Sequence, residues 1–165
     1  MSKFVNSCML FMGLFSQALF AQTVSRADYL KGYEQRAAYV TSFYDTTRNA
    51  NYYSAAAKYA HNVNVAQADS MVLALLQKPS GDMFWMFPVI GAYLHGKDKM
   101  SPQVKTAMRQ AWKTYAPYRG DTENHWCMYY ASLFLATEQW PNLPGSEWYN
   151  GKSSAENREE AKAYL

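Results

Sequence analysis

The chain has 165 residues, of which 49% are hydrophobic, 16% aromatic and 18% charged. This composition supplies enough apolar material for a core and excludes a wholly disordered protein, a collagen and a coiled coil. The formal net charge is +3, and the 16 basic residues are spread among 13 acidic ones. Because a nucleic-acid binder usually concentrates lysine and arginine on one face, we expect no nucleic-acid partner.

The first residues have the pattern of a secretory leader. Lys3 supplies a short basic region, an apolar run covers residues 8–15, and Ser16 to Ala21 has the pattern of a cleavage region. The apolar run is shorter than the about 20 residues that span a bilayer. We therefore predict a signal peptide over residues 1–21, and a secreted or periplasmic mature chain without a membrane span. A short membrane anchor is the alternative.

Cysteine usage limits the chemistry of the mature chain. Loss of the leader removes Cys8 and leaves Cys127 as the single thiol. One cysteine forms no internal disulfide and builds no cysteine-based zinc site. Cys127 lies between aromatic residues in a helical pattern, so we expect it to be a small buried residue, with a catalytic thiol as the less favoured alternative.

Apolar residues recur at helical spacing along most of the remaining chain. The pattern predicts helices over residues 27–44, 54–61, 65–76, 84–95, 102–115, 122–139 and 153–165. Ser101 and Pro102 are a typical helix start, and Ser153 with Glu156 has the spacing of a capping box. Pro88 is expected to start or kink the fourth helix, and Gly96 to follow its end. The fold class is therefore predicted to be all-α.

The helices differ in how apolar their faces are. Those over 84–95 and 122–139 are apolar on most faces and are expected to be inner helices, whereas those over 66–77 and 102–115 have one polar face and are expected to be outer. This alternation predicts antiparallel helix pairs that form part of an (α/α) toroid, or incomplete barrel, over residues 22–165.

The last predicted helix reaches Leu165 without a glycine, a proline or a polar tail. Natural helices usually carry a stop signal. We therefore expect the natural chain to continue, with residues 22–165 as the N-terminal part of a larger toroid. A docked helix that ends at Leu165 is the alternative.

Polar and titratable side chains crowd into residues 119–126, which lead directly into an apolar helix. His125 and Tyr129 share a helix face, and an imidazole and a phenol can together move protons. Asn124 falls in the first turn, where backbone amides are free to bind anions. The alternative is an ordinary helix start, capped by Asp121 or Thr122. The candidate catalytic residues are His125, Tyr129, Tyr130 and Glu123, and the candidate substrate-binding residues are Asn124, Arg119 and Trp126.

Residues 100–165 contain five short segments that resemble those of known proteins. The segments are Met100-Ser-Pro-Gln-Val-Lys, Thr122-Glu-Asn-His125, Ala136-Thr-Glu-Gln-Trp-Pro141, Asn150-Gly-Lys-Ser-Ser-Ala-Glu-Asn157 and Ala161-Lys-Ala-Tyr-Leu165. They resemble secreted proteins with a Ser/Thr-Glu-Asn-His signature, which are similar in architecture to α/α-toroid polysaccharide lyases of the alginate-lyase and heparinase type. The resemblance implies that Asn124 and His125 bind a uronate carboxylate and that Tyr129 or Tyr130 acts as acid or base. Glu123 stands where those lyases often have a second asparagine.

A polysaccharide or oligosaccharide is accordingly the expected partner, and β-elimination of uronic-acid-containing polymers is the favoured reaction. One alternative is hydrolysis with Glu123 as general acid, which needs a second carboxylate about 5–10 Å away. Another is a non-catalytic helical module that binds carbohydrate or protein. We expect no cofactor, and no metal, because His125 and Glu123 alone do not define a metal site.

Overall fold

The structure, a computed structural model, describes residues 24–165 apart from the side chain of Asp45. The predicted leader over residues 1–21 lies outside the described residues. Within them the chain is all-helical, with seven α-helices, one 3-10 turn at Gly145–Glu147 and no strand, so the predicted fold class is confirmed. The helices are α1 (Arg26–Thr46), α2 (Tyr52–His61), α3 (Val65–Leu76), α4 (Met83–Gly96), α5 (Pro102–Thr114), α6 (Glu123–Gln139) and α7 (Ser154–Tyr164).

Two predicted helix starts are formed by the expected side chains. The Ser101 hydroxyl accepts a hydrogen bond from the Val104 N–H at 3.4 Å, and Pro102 occupies the first turn of α5. At α7, Ser153 and Glu156 form the complete capping box. These caps satisfy backbone donors that the first helical turn leaves without an intrahelical partner.

The chain divides into two compact units, of which the first ends at Tyr39 and the second comprises Val40–Leu165. The described part of the first unit is the beginning of α1, where the Ser25 hydroxyl accepts a hydrogen bond from the Asp28 N–H at 3.1 Å. Tyr29 and Tyr33 belong to the apolar stripe of this helix, yet they are 60% and 59% exposed. The buried hydrophobic core lies in the second unit.

In the second unit, alternate helices pack against one another. The helices α2, α4 and α6 are in contact in that order, α3 contacts both α2 and α5, and α7 contacts α6. As expected for outer helices, α3 and α5 each keep an exposed face, which on α5 carries Gln103, Thr106 and Gln110. These contacts join the helices of the second unit, and their arrangement as part of a toroid stays a prediction.

Four tryptophans and one arginine form the centre of the core. The buried Trp112 ring of α5 lies 5.6 Å from the Trp85 ring of α4 and 6.2 Å from the rings of Trp140 and Trp148. The Arg109 guanidinium carbon is 5.1 Å from the Trp140 ring centroid and 5.0 Å from that of Trp148. We call these five residues the tryptophan cluster. It joins α4 and α5 to the end of α6 and to the residue after the 3-10 turn.

The connection between α6 and α7 is held by the buried hydroxyl of Ser154. This hydroxyl donates to the Trp140 carbonyl at 2.5 Å, and it accepts from the Leu143 N–H and the Trp148 indole N–H at 3.1 Å each. A buried hydroxyl with three partners fixes the positions of all of them, because an unpaired buried polar group is costly. The Trp148 ring is thereby oriented by the first residue of α7.

Two burial predictions are wrong. The predicted inner helix α4 leaves Phe84 and Phe87 53% and 47% exposed, because α2 and α6 contact it elsewhere. Cys127 of α6 is exposed rather than buried. It shares a helix face with Glu123 and Asn124, which lie three or four residues earlier and are also exposed.

Gly96 has a different role from the predicted one. It is the last residue of α4 rather than the residue after it, and it is buried. A Cβ at this position would lie 2.5 Å from Tyr59 Cδ2 and 2.7 Å from Met100 Cε. A glycine is therefore required here by the close approach of α2, and not by a left-handed backbone conformation.

We predict opposite effects for alanine at the two glycines of α4. Gly96→Ala inserts a methyl group against the buried Tyr59 ring and is expected to lower the free energy of unfolding by about 1–3 kcal/mol. Gly91→Ala meets no atom within 4 Å and is expected to raise it by up to about 1 kcal/mol, because alanine favours a helix. Urea unfolding followed by tryptophan fluorescence measures both, and equal midpoints for the two variants would contradict the packing at Gly96.

Candidate functional site

The segment that leads into α6 and contains the predicted site is hydrogen-bonded to the beginning of α4. The Met83 N–H donates to the Tyr118 carbonyl at 3.1 Å, and the Tyr115 hydroxyl donates to the Gly81 carbonyl. Gly120 turns the chain with a φ of +83°, where a Cβ would lie 2.5 Å from Met83 Cε and 2.6 Å from His125 Nδ1. Both the left-handed backbone and the lack of space require glycine at this turn.

Three of the seven predicted site residues come together on one side of α6. The Arg119 guanidinium carbon lies 4.5 Å from the Trp126 ring centroid, and Arg119 Nη1 donates to the Tyr130 hydroxyl at 3.2 Å. The Trp126 indole N–H donates to the Gly120 carbonyl at 3.0 Å, which orients the ring beneath the guanidinium. Tyr164 of α7 stacks on Tyr130 with ring centroids 4.1 Å apart. We call Arg119, Trp126, Tyr130 and Tyr164 the arginine cluster.

The arginine cluster combines a cation with neutral phenols. The hydrogen bond to Tyr130 raises the pKa of Arg119, and burial raises the pKa of Tyr130 despite the opposing charge of Arg119. The ion pairs found within residues 24–165 do not include Arg119. Its guanidinium, which is partly exposed, therefore has no carboxylate partner in the described part of the chain.

A second pair of phenols adjoins the arginine cluster. The hydroxyls of Tyr129 and Tyr149 share a hydrogen bond, and the Tyr129 ring packs edge-on against that of Tyr130 at 5.1 Å. Burial raises the pKa of Tyr129, and the negative charge of Glu160 raises it further. Burial is also the largest cause that raises the pKa of Tyr149. Both phenols therefore keep their protons to a higher pH than a tyrosine in water does.

The remaining predicted residues are not in the arginine cluster. Glu123 and Asn124 are exposed at the beginning of α6. The partly buried His125 ring packs edge-on against Phe84 of α4 at 5.6 Å, and its Nδ1 has no hydrogen-bond partner among the described residues. Consecutive helix positions point in different directions, so His125 contacts α4 whereas Trp126 and Tyr130 contact Tyr164 of α7.

The beginning of α6 has no side-chain cap. Thr122 is the N-cap residue, but its hydroxyl donates to the Asn124 side-chain carbonyl instead of accepting a backbone hydrogen bond. Asp121, the other capping candidate, accepts from the Tyr118 hydroxyl at 2.5 Å. The first-turn amides of α6 are thus left without the side-chain acceptor that most helix starts provide.

Sequence reasoning missed two tyrosines of this region. Tyr164 lies on the face of α7 that also carries the buried Asn157 and Ala161, at helical spacings of four and three residues. That spacing was a readable signal for contact with a neighbouring helix. Tyr149 lies in the connection between the 3-10 turn and α7, where no periodic pattern marks it.

Residues 24–165 contain neither a cluster of metal ligands nor a membrane-spanning helix. No group of three or more histidine, cysteine, aspartate or glutamate side chains could hold a metal ion there. None of the helices in that range combines the length and the apolar character needed to cross a bilayer.

Comparison of the chain with protein-family models, with curated proteins and with solved structures gives no match. The resemblance to toroid lyases therefore depends only on the quoted segments and stays a prediction. What the site does has to be inferred from its own contacts and charges.

The buried phenols predict how stability depends on pH. Unfolded tyrosines lose their protons near pH 10, while Tyr149 keeps its proton in the fold to higher pH, so stability is expected to fall as the pH rises above about 10. Tyr149→Phe removes this group. The free energy of unfolding of the variant should therefore fall less steeply with pH, by up to about 1.4 kcal/mol per pH unit. Urea unfolding between pH 8 and 11 measures the slope. The exposed Tyr33→Phe is the control and should keep the wild-type slope, and an equal slope for Tyr149→Phe would contradict the prediction.

Proposed function

We propose that the arginine cluster binds the carboxylate of an acidic sugar, and that the protein is a secreted or periplasmic carbohydrate-binding protein for uronic-acid-containing oligosaccharides or polysaccharides. The observation that carries the proposal is the guanidinium of Arg119, which lies on the Trp126 ring and has no carboxylate partner in the described part of the chain. The alternation of α2, α4 and α6 with α3 and α5 supports an (α/α) toroid as the scaffold.

Each group of the cluster suits one part of a uronate. A guanidinium presents a planar pair of N–H donors that matches a carboxylate, and this arrangement is stronger than a neutral hydrogen bond. The Tyr164 ring, which is 49% exposed, offers a flat apolar surface for the C–H face of a sugar ring, and its hydroxyl offers a partner for a sugar hydroxyl. The buried Tyr130 supports the guanidinium through its hydroxyl.

We predict that Arg119→Met weakens the binding of trigalacturonate by at least about tenfold, because it removes a charge-assisted hydrogen bond to the ligand. Isothermal titration calorimetry with the wild type and the variant measures the change. The exposed Arg48→Met has the same change of charge and should bind as the wild type does. Equal affinities for Arg119→Met and Arg48→Met would refute the proposed carboxylate site.

A second candidate function is a polysaccharide lyase at the beginning of α6. The observation that favours it is the position of Tyr129 on α6, four residues after His125, with the exposed Asn124 next to His125. In this proposal Asn124 binds the uronate carboxylate and the His125 imidazole removes the proton from the adjacent carbon. The glycosidic C–O bond then breaks, a carbon–carbon double bond forms, and Tyr129 donates its proton to the leaving oxygen.

The lyase proposal predicts an unsaturated product. Incubation of the full chain with alginate, polygalacturonate and heparin should increase the ultraviolet absorbance on at least one of them, and His125→Ala and Tyr129→Phe should slow that increase at least about 100-fold. Tyr33→Phe, at an exposed tyrosine of α1, is the control. No product from the wild type, or an unchanged rate for His125→Ala, would exclude elimination and leave the binding function. New reducing ends without the unsaturated product would instead favour hydrolysis with Glu123 as acid.

A further inference from the structure

The exposed face of α4 contains two adjoining grooves. The first has a volume of about 350 Å³ and is lined by residues of α1, α2 and α4, among them Tyr53, Phe87 and Gly91. The second has a volume of about 270 Å³ and is lined in part by Phe84. Pro88 lines both grooves, so they are neighbours along the helix. We call these two grooves together the α4 face.

The described side chains that line the α4 face carry no negative charge, since neither groove is lined by a described aspartate or glutamate. The carboxylate of the neighbouring Asp82 is occupied as a helix cap, because it accepts a hydrogen bond from the Phe84 N–H at 2.9 Å. The two lining side chains that can carry a positive charge are His95 in the first groove and Lys78 in the second. The face is therefore complementary to a ligand that combines apolar ring surfaces with negative charge.

The α4 face is also joined to the segment that carries the arginine cluster. Phe84, at the near end of the face, contacts His125, and the neighbouring Met83 N–H is bonded to the Tyr118 carbonyl. From Phe84 to His95 the helix rises about 16 Å at 1.5 Å per residue, which is longer than a single sugar ring. A ligand that covers this face is thus a chain of several sugar units rather than a monosaccharide.

We infer that the α4 face is a second binding surface for a chain of acidic sugars. The sugar rings stack on Phe84 and Phe87, and Lys78 and His95 bind carboxylates along the chain. This inference rests on the proposed function, because the arginine cluster binds one uronate of the same polymer. The two surfaces together make affinity increase with polymer length, since binding at one surface raises the local concentration of sugar at the other.

The test compares a short and a long probe. Galacturonic acid, which is a single sugar ring, reports the arginine cluster, and polygalacturonate of more than 20 units reports both surfaces. Phe87→Ser and Lys78→Met are each expected to weaken polygalacturonate binding about fivefold and to leave the binding of galacturonic acid unchanged. The controls are Tyr33→Ser and Lys31→Met, which make matched changes at exposed positions of α1.

Each outcome separates the two proposals. If Phe87→Ser and Lys78→Met bind polygalacturonate with the same affinity as the control variants, the α4 face is not a sugar-binding surface. The proposal for the arginine cluster would stand in that case. Unchanged binding of galacturonic acid by Arg119→Met would overturn the proposed function itself. Sedimentation velocity adds a third outcome. If Phe87→Ser abolishes a dimer while polymer binding is unchanged, the α4 face is an interface between two copies of the chain and the inference is wrong.

Discussion

The packing of Trp112 is the interaction on which the rest of the second unit depends. Its ring brings together α4, α5, the end of α6 and the connection to α7, which are far apart in the sequence. Each aromatic pair of this kind adds about 0.5–1.5 kcal/mol beyond the area that it buries. Since α6 is held at this end, the position of its other end, where Arg119 meets Trp126, follows from the same packing.

The core also holds a positive charge at its margin. Burial lowers the pKa of Arg109, and the negative charge of Glu147 opposes that effect. The flat guanidinium between the Trp140 and Trp148 rings retains favourable contacts that a desolvated ammonium group would lack. A cation stacked on indole thus occurs twice in this unit, once inside the tryptophan cluster at Arg109 and once at the surface at Arg119.

Local sequence patterns predicted the helices well but predicted their burial less well. The caps at Ser101 and Ser153 were readable because they depend on residues only three positions away. The exposure of Phe84, Phe87 and Cys127 was not readable, because it depends on which neighbouring helix covers each face. In the same way Arg119, Trp126 and Tyr130 could be selected from one short segment, whereas the stacking of Tyr164 on Tyr130 depends on how α7 packs against α6.

The turn at Gly120 links two surfaces that face different neighbours. Its carbonyl oxygen accepts the Trp126 indole N–H on one side of α6, and its α-carbon lies against the His125 ring on the other. A displacement of this single peptide unit would therefore shift the indole and the imidazole at the same time. The absence of a side chain at position 120 thus lets one turn contact both flanks of the helix, so that a substitution there would disturb the indole and the imidazole together.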